Sequence, residues 1–301
     1  MKKRFIRSPL FYVGDKYKLL TEILPFFPTN IEKFVEPFVG GGSVFLNVEA
    51  QQYCLNDIDC NVIMLHKFLH RSSLMTDIFF PKIESIIKKY GLSCSYKKNT
   101  IPDTLKHQYP KTYFAKYNKA PYSKLKSDFN SKEEKSMYDL YILLIYGFNR
   151  MLRFNRRGEF NLPVGNVDFN KNVILALKSY FDRVKTKHPT WFNFDYKVFL
   201  EKLDLKSRDF VYLDPPYLIT FSEYNKLWNE QKEIELLSLL DTFDKRKIKF
   251  AISNVTNYKG RTNCLFVKWA NKYNSHPIKS NYINFHDNSV KQFAEVLITN
   301  Y

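Results

Sequence analysis

The sequence contains no apolar run approaching the ~20 residues needed to span a bilayer, although apolar residues make up 45% of its 301 positions. A helical membrane span is therefore excluded. Cysteine is scarce: Cys54, Cys60, Cys94 and Cys264 are scattered, with no C-x-x-C pair among them. That argues against a disulfide framework or a zinc ribbon and fits reduced thiols in a cytosolic protein. The six histidines include His66 and His70 at i, i+4 spacing, but there is no H-E-x-x-H context. No metal chemistry is expected from such a pair. Internal repeats and low-complexity tracts are also missing. The opening stretch "MKKRFIRSPLFYVGDKYKLL" has basic residues but neither an apolar core nor a small-residue cleavage site, so it does not read as a signal peptide.

Positive charge, by contrast, is in excess. The net charge of +17 comes from 47 Lys and Arg against 30 Asp and Glu. The simplest partner for such a surface is a polyanion, nucleic acid above all. Aromatic residues at 17% fit either base stacking or an aromatic core, and composition does not choose between the two.

Along the chain, strands and helices alternate at both ends. "IEKFVEPFVGGGSVFLNVEA" predicts a strand from about Lys33, a glycine turn at Gly40–Gly42 and a helix start. "YCLNDIDCNVIMLHKFL" predicts a strand at Tyr53–Leu55, a turn at Asn56–Asp57 and another helix. From about Ser72 to Lys135 the chain is rich in Lys, Tyr and Ser, and its periodicity is weak. A helix follows in "SKEEKSMYDLYILLIYGF", with Ser131 and Glu134 read as a capping box and Met137, Leu140, Tyr141, Leu144 and Phe148 on one face. Alternation returns after about Asn172. "DFVYLDPPY" predicts a strand ending at Asp214, "NEQKEIELLSLLDTF" a helix capped by Asn229, and "KIKFAISN" and "AEVLITNY" two more strands. The expected class is α/β with a parallel sheet. Residues 1–65 and 172–301 would form one domain around an insertion at 66–171.

The glycine turn "EPFVGGGS" lacks the G-K-[ST] of a Walker A loop and the spacing of a G-x-G-x-x-G dinucleotide fingerprint. Its pattern is F-x-G-x-G, with Phe38, Gly40 and Gly42. Asp57 follows at the end of the next strand, where an acid can accept from ribose hydroxyls. Loop and acid together suit a nucleoside ligand without phosphate, such as S-adenosylmethionine.

"VYLDPPYL" ends an apolar strand on a carboxylate and two prolines. Neither proline can donate to a sheet, so the strand must stop there. In an open α/β sheet, ligands bind at the carboxyl ends of strands. An adenine amino group is a poor nucleophile, because its lone pair is delocalised into the ring. Asp214 and the Pro215 carbonyl can accept its two hydrogens and localise that pair, with the prolines fixing the carbonyl direction. Tyr217 offers a face on which an extruded base can stack.

These residues resemble the Dam-type DNA adenine-N6 methyltransferases, the phage branch in particular. The resemblance runs through "FYVGDKYKLL", "FVEPFVGGGSVFLN", "LNDID", "NRMLRFNRRGEFNLPVG", "DFVYLDPPYLITFSEYNKLW" and "IKFAISNV" in that order. It implies a Rossmann-like, seven-stranded methyltransferase sheet with an inserted, mainly helical DNA target-recognition domain. It also implies S-adenosylmethionine as methyl donor, no metal, double-stranded DNA as substrate and a cytoplasmic setting in a bacterial or phage-infected cell. A cognate restriction endonuclease would be a natural partner. By the same resemblance Tyr12 and Lys16 hold the methionine part of the cofactor, Phe38, Gly40 and Gly42 line it, Asp57 takes its ribose, and Asp195 and Tyr196 meet its adenine. Arg153 would read a guanine, a contact worth roughly 1–3 kcal/mol of discrimination. Met151, Asn155 and Pro163 would touch neighbouring base edges. The phage branch has a basic pair just after the P-x-G, where this chain has Asn166 and Val167. The usual target GATC and another central-AT tetramer such as CATG therefore both stay open. Two further readings stand beside this one: an RNA adenine methyltransferase, and a non-catalytic DNA-binding protein built on the same fold.

Overall fold

The computed structural model describes residues 5–97, 101–220, 228–279 and 294–301. The chain forms two compact units. One comprises Met1–Asp15, Gly40–Leu46 and Asp59–Thr186, the other Lys16–Val39, Asn47–Ile58 and Lys187–Tyr301. Much of the "SEYNKLW" segment lies outside the described residues, though Trp228 lies within them. No helix among the described residues is long and apolar enough to cross a membrane.

The first unit is helical. Its elements are α1 (Cys60–Ser73), α2 (Thr76–Tyr90), α3 (Asp103–Gln108), α4 (Tyr113–Ser131), α5 (Met137–Tyr146) and α6 (Lys171–Lys187). Three of these helices lie in the stretch whose periodicity is weak. Helix α5 is buried on every side from Asp139 to Tyr146, so it is the core helix of the unit. The capping residue differs from the sequence expectation. Ser131 is the last residue of α4, and Ser136 caps α5 by accepting from the Asp139 backbone N–H at 3.3 Å. The S-x-x-D pattern lies one turn nearer the apolar run than the S-x-x-E pattern at Ser131. Phe79 is fully buried and its ring meets those of Phe68, Tyr138, Tyr141 and Phe181. A large part of the aromatic content therefore builds core.

The second unit carries the sheet: β1 (Ile31–Glu36), β2 (Ala50–Asn56), β3 (Thr190–Phe192), β4 (Phe210–Leu213), β5 (Lys249–Tyr258), β6 (Arg261–Thr262), β7 (Asn274–Ile278) and β8 (Ala294–Thr299). Their order is β3-β2-β1-β4-β5-β8-β7, and β6 pairs with β5 at one side. The continuous path has the seven strands that the resemblance implies; the eighth is a two-residue hairpin arm. Strands β3, β2, β1, β4 and β5 run parallel, whereas β8 is antiparallel to both β5 and β7. Strand β4 is buried throughout, and the apolar run Phe210–Leu213 is what a central parallel strand requires. Helices α7 (Tyr196–Glu201), α8 (Glu230–Lys245) and α9 (Cys264–Ala270) lie in the same unit, as does a short helical stretch at Lys16–Phe26. Asn229 caps α8 as its sequence predicts, accepting from Lys232 N at 2.9 Å. The expected helix after the glycine turn is only a one-turn 3-10 segment, Phe45–Asn47, because β2 begins at Ala50 and leaves no room for more.

Strands β1 and β4 are neighbours, with Val35 beside Val211. From β1 the chain crosses to β2 on one side, while β4 continues to β5 on the other. The centre of the sheet is therefore a topological switch point, and a crevice opens beyond the carboxyl ends at such places. "DPPY" leaves the sheet there.

Candidate active site

In the sheet unit, four charged or hydroxylated side chains meet just beyond β4. Lys16 Nζ donates to Asp214 Oδ2 at 2.7 Å and lies 3.7 Å from Glu295 Oε1. The Tyr217 hydroxyl is 3.0 Å from both Asp214 Oδ1 and Glu295 Oε1. The Lys16 ammonium also sits 5.1 Å from the centre of the Tyr217 ring. Lys16 and Glu295 are nearly sealed from solvent, at 5% and 1%, while Asp214 keeps 19% of its side chain open. Pro215 is buried and Tyr217 half-buried. Thr220 ties the turn back on itself through its backbone N–H and its hydroxyl, each 3.1 Å from Tyr217 O. Asp214 Oδ2 thus accepts from Lys16, while Oδ1 shares the single Tyr217 hydroxyl hydrogen with Glu295 Oε1, and each Asp214 oxygen retains a lone pair for another donor.

The resemblance gives Lys16 the carboxylate of the cofactor; in the structure its ammonium bonds Asp214. Glu295 carries no such signal in the sequence. It begins "EVLIT" in β8, and nothing in the local sequence distinguishes it from the ordinary polar edge of a strand.

A second cluster lies in the same unit. The Phe38, Tyr196 and Trp228 rings pack with centroids 5.4, 5.8 and 5.7 Å apart pairwise. Burial pushes the Tyr196 phenol well above its usual range, and its hydroxyl donates to Lys232 O at 3.2 Å. Asp195 caps α7 through the Lys197 N–H at 3.0 Å and accepts from Lys232 Nζ at 3.1 Å. It is occupied as a helix cap and ion-pair partner. Asp57 is half-buried just past β2, with its carbonyl accepting from Asn193 Nδ2 at 2.8 Å.

Asn56 is the residue of this region that the sequence did not flag. It is fully buried. Its Nδ2 donates to Pro37 O and Phe194 O, each at 3.0 Å, and its Oδ1 accepts from Phe194 N at 2.9 Å. One side chain thus fixes the exits of β1 and β3. Glu233, also buried, accepts from Trp228 Nε1, Asn254 Nδ2 and Asn263 Nδ2 at 2.6 to 3.0 Å. Burial pushes its carboxyl up, and those three donors pull partly the other way.

The glycine loop and Tyr12 belong to the helical unit. Gly40 has φ +44° and Gly42 φ +79°, which residues with a side chain rarely adopt. A Cβ on Gly40 would stand 3.4 Å from the Tyr12 ring, and one on Gly42 would run into Phe45 at 2.5 Å. His66 holds the loop from beneath: Nε2 lies 2.8 Å from Gly40 O, and Nδ1 3.0 Å from the Tyr180 hydroxyl. Full burial drives the imidazole down to about 4, so it is neutral. Its Nε2 therefore carries the hydrogen, since Gly40 O can only accept. Ser43 adds a further tie, donating to Asp15 Oδ2 at 2.7 Å.

The arginine-rich stretch is also in this unit and forms a small hairpin. Phe154 bridges Phe160 across it. Asn155 Oδ1 accepts from the backbone N–H groups of Arg157 and Glu159 at 2.9 and 3.0 Å, and Nδ2 donates to Glu159 Oε2 at 2.7 Å. Asn155 is thus committed to shaping the tip, which exposes Arg156 and Arg157. Exposed Arg153 donates to Asn161 from Nε (2.9 Å to Oδ1) and Nη2 (2.8 Å to O). Pro163 is exposed and Met151 half-buried. Phe148, whose N–H bonds Pro163 O at 2.9 Å, leaves 52% of its surface open. Asn166, at the departure from the phage pattern, accepts from Ala115 N at 3.1 Å and donates to Lys111 O at 2.7 Å, anchoring the first turn of α4.

The profile of the D12 class N6 adenine-specific DNA methyltransferases matches residues 12–283. The chain belongs to this family. It is 35% identical over 310 residues to the modification methylase StsI of Streptococcus sanguinis, covering 99% of this chain and 43% of that protein. It is equally 35% identical over 307 residues to the type II methyltransferase M.FokI of Planomicrobium okeanokoites, again covering 99% and 43%. The DNA adenine methylase of Escherichia coli K12 is 28% identical over 263 residues, covering 84% of this chain and 82% of that one. The chain thus spans less than half the length of the two modification enzymes and most of the length of the Dam protein. As a D12-class chain it carries its DPPY turn where the strand order of the sheet reverses.

Proposed function

We propose that this chain is a site-specific adenine-N6 methyltransferase acting on duplex DNA. The observation that carries the reading is the Asp214 carboxylate, oriented on one oxygen by Lys16 and on the other by Tyr217. A preorganised acceptor of this kind, beside a carbonyl held by two prolines, suits the two hydrogens of an exocyclic amine. Asp214 and Pro215 O take those hydrogens and direct the nitrogen lone pair, and Tyr217 gives the base a face to stack on. Lys16 keeps Asp214 in place without itself needing to touch the base.

The residues present fit S-adenosylmethionine. Gly40 and Gly42 adopt conformations that keep the backbone bare of side chains, and His66 bonds the Gly40 carbonyl. When bound, the cofactor supplies an electrophilic sulfonium methyl group. By the family resemblance Tyr12, Phe38, Gly40, Gly42, Asp57 and Tyr196 would hold it, with Asp195 positioning Tyr196 through the start of α7.

Arg153 would read a guanine. Asn161 holds its Nε and Nη2 side, which leaves the Nη1 and Nη2 end for a bidentate contact. Met151, Pro163 and Phe148 offer apolar surface to base edges, and Asn155 shapes the tip. The target would be a short site such as GATC or CATG, and the relative named a modification methylase favours a restriction–modification setting with a cognate endonuclease.

Single-molecule sequencing of DNA from a methylation-free host expressing the chain tests this. N6-methyladenine confined to one motif is the expected result and identifies the target. Unmethylated DNA, with methyl transfer to RNA by the purified chain, would replace the reading with an RNA enzyme. A chain that binds DNA but not S-adenosylmethionine would be a binding protein only.

A further inference from the structure

Two arginines of the helical unit converge on one ring. The Arg150 guanidinium lies 4.0 Å from the centre of Phe11, and that of Arg7 lies 4.7 Å from it. Phe11 is buried at 7% exposure, Arg7 is exposed and Arg150 half-buried. Like charges so placed repel. Burial pulls the Arg150 guanidinium below its usual range, and Arg7 adds to the effect. Among the described residues no carboxylate makes a hydrogen bond or ion pair with Arg150, and its Nε is sealed from solvent with no partner. Asp168 is near enough to be felt, but Ser95 engages both of its oxygens, at 2.6 and 2.8 Å. A partly buried cation with no carboxylate bonded to it is costly, and a positive charge nearby adds to the cost.

The backbone is strained to make this arrangement. Phe11, Asn149 and Arg150 have φ of +49°, +51° and +51°, all in the left-handed region. Such strain in residues with side chains concentrates at functional sites. The approach to Phe11 is braced as well. Tyr141 donates to Pro9 O at 3.1 Å, and Ser8 bonds Leu10 N at 3.2 Å and Ser43 at 3.3 Å. Arg150 is also three residues from Arg153, on the same stretch of chain. Guanidinium groups stacked on an aromatic face keep their donors in a plane suited to phosphate oxygens.

We propose that Arg7 and Arg150, stacked on Phe11, clamp a phosphodiester of the DNA backbone beside the base-reading loop. The clamp fixes register on the duplex and carries no sequence information. This rests on the reading of the chain as a DNA-acting enzyme.

Binding of a fluorescein-labelled DNA duplex of mixed sequence, followed by anisotropy across a salt series, tests it. Arg7→Gln and Arg150→Gln are each expected to weaken binding about tenfold at low salt and to flatten the log Kd against log salt slope by about 0.9. The loss should be equal for target and non-target duplexes, with S-adenosylmethionine affinity unchanged. Arg7 is exposed, so its variant keeps the fold even if Arg150→Gln does not. A wild-type slope in Arg7→Gln, or a loss of cofactor affinity in place of DNA affinity, overturns the clamp. A wild-type chain that binds no duplex at low salt overturns both the clamp and the DNA reading, before any variant is made.

Discussion

Lys16 and Asp214 lie 198 positions apart in sequence, yet the Lys16 ammonium bonds the Asp214 carboxylate at 2.7 Å. Glu295 lies 3.7 Å from the same ammonium. One buried cation thus stands between two carboxylates that would otherwise face each other across a single tyrosine hydroxyl. Lys16→Met removes that cation from between a buried Glu295 and a partly open Asp214. Breaking such a pair costs roughly 3–5 kcal/mol. The expected outcome is a matching drop in unfolding free energy, with methyl transfer down by about 100-fold as Asp214 loses its orientation. Lys16→Arg should recover part of both. Urea denaturation and single-turnover methyl transfer measure the two effects; an unchanged transfer rate in Lys16→Met would remove the positioning role.

Asp214 itself can be separated from the fold. It is partly open to solvent, and its two partners are also linked through Glu295. Asp214→Ala should therefore retain cofactor binding, measured by calorimetry, while transfer falls below detection. Methylation at the wild-type rate would defeat the assignment.

His66 makes a prediction in pH. Its folded value of about 4 lies below the 6.5 of an unfolded histidine. As pH falls, the unfolded chain takes up the proton first, so stability is lost between about pH 6.5 and 4. The full effect at pH 4 is about 3 kcal/mol. His66→Gln can keep a donor toward Gly40 O but does not titrate. Denaturation at pH 7 and pH 4 should show the wild type losing about 3 kcal/mol more than the variant across that interval. Equal losses would mean that His66 carries its proton in the folded state. Above pH 6.5 the two should respond alike.

Legibility in the sequence followed the kind of signal each element leaves. Strand β4 and the DPPY turn were readable because two prolines after an apolar run leave few alternatives. Helix α8 was readable from Asn229 and its acidic first turn. Helices α2 and α4 were not, because each carries a proline, Pro81 or Pro121, and buries aromatic and polar side chains that blur a helical stripe. Individual site residues split the same way. Gly40 and Gly42 announce themselves through composition. Asn56 and Glu295 do not, because a buried asparagine that ties three backbone groups looks like a turn residue until the neighbouring strand is in place. The motif positions of Asn155 and Asp195 point to ligand contacts. Their side chains also hold a hairpin and a helix start, roles for which short polar residues are selected.

Asn161 offers a test of base reading that leaves the reading residue intact. It grips the Nε and Nη2 side of Arg153, so the guanidinium presents its other end in a fixed plane. A long, exposed arginine otherwise loses rotamer entropy when it forms a bidentate contact. Asn161→Ala removes the side-chain half of that grip and keeps the charge. The expected outcome is unchanged stability within ~0.5 kcal/mol, because the site is on the surface. Discrimination at the single base pair read by Arg153 should fall, by less than the roughly 1–3 kcal/mol expected for Arg153→Ala. The measurement is the ratio of kcat/KM for the target and for duplexes with one base pair changed. If Asn161→Ala lowers every ratio equally, the asparagine shapes the whole loop. If it lowers one ratio and Arg153→Ala lowers that same ratio further, the two residues act as one reading unit.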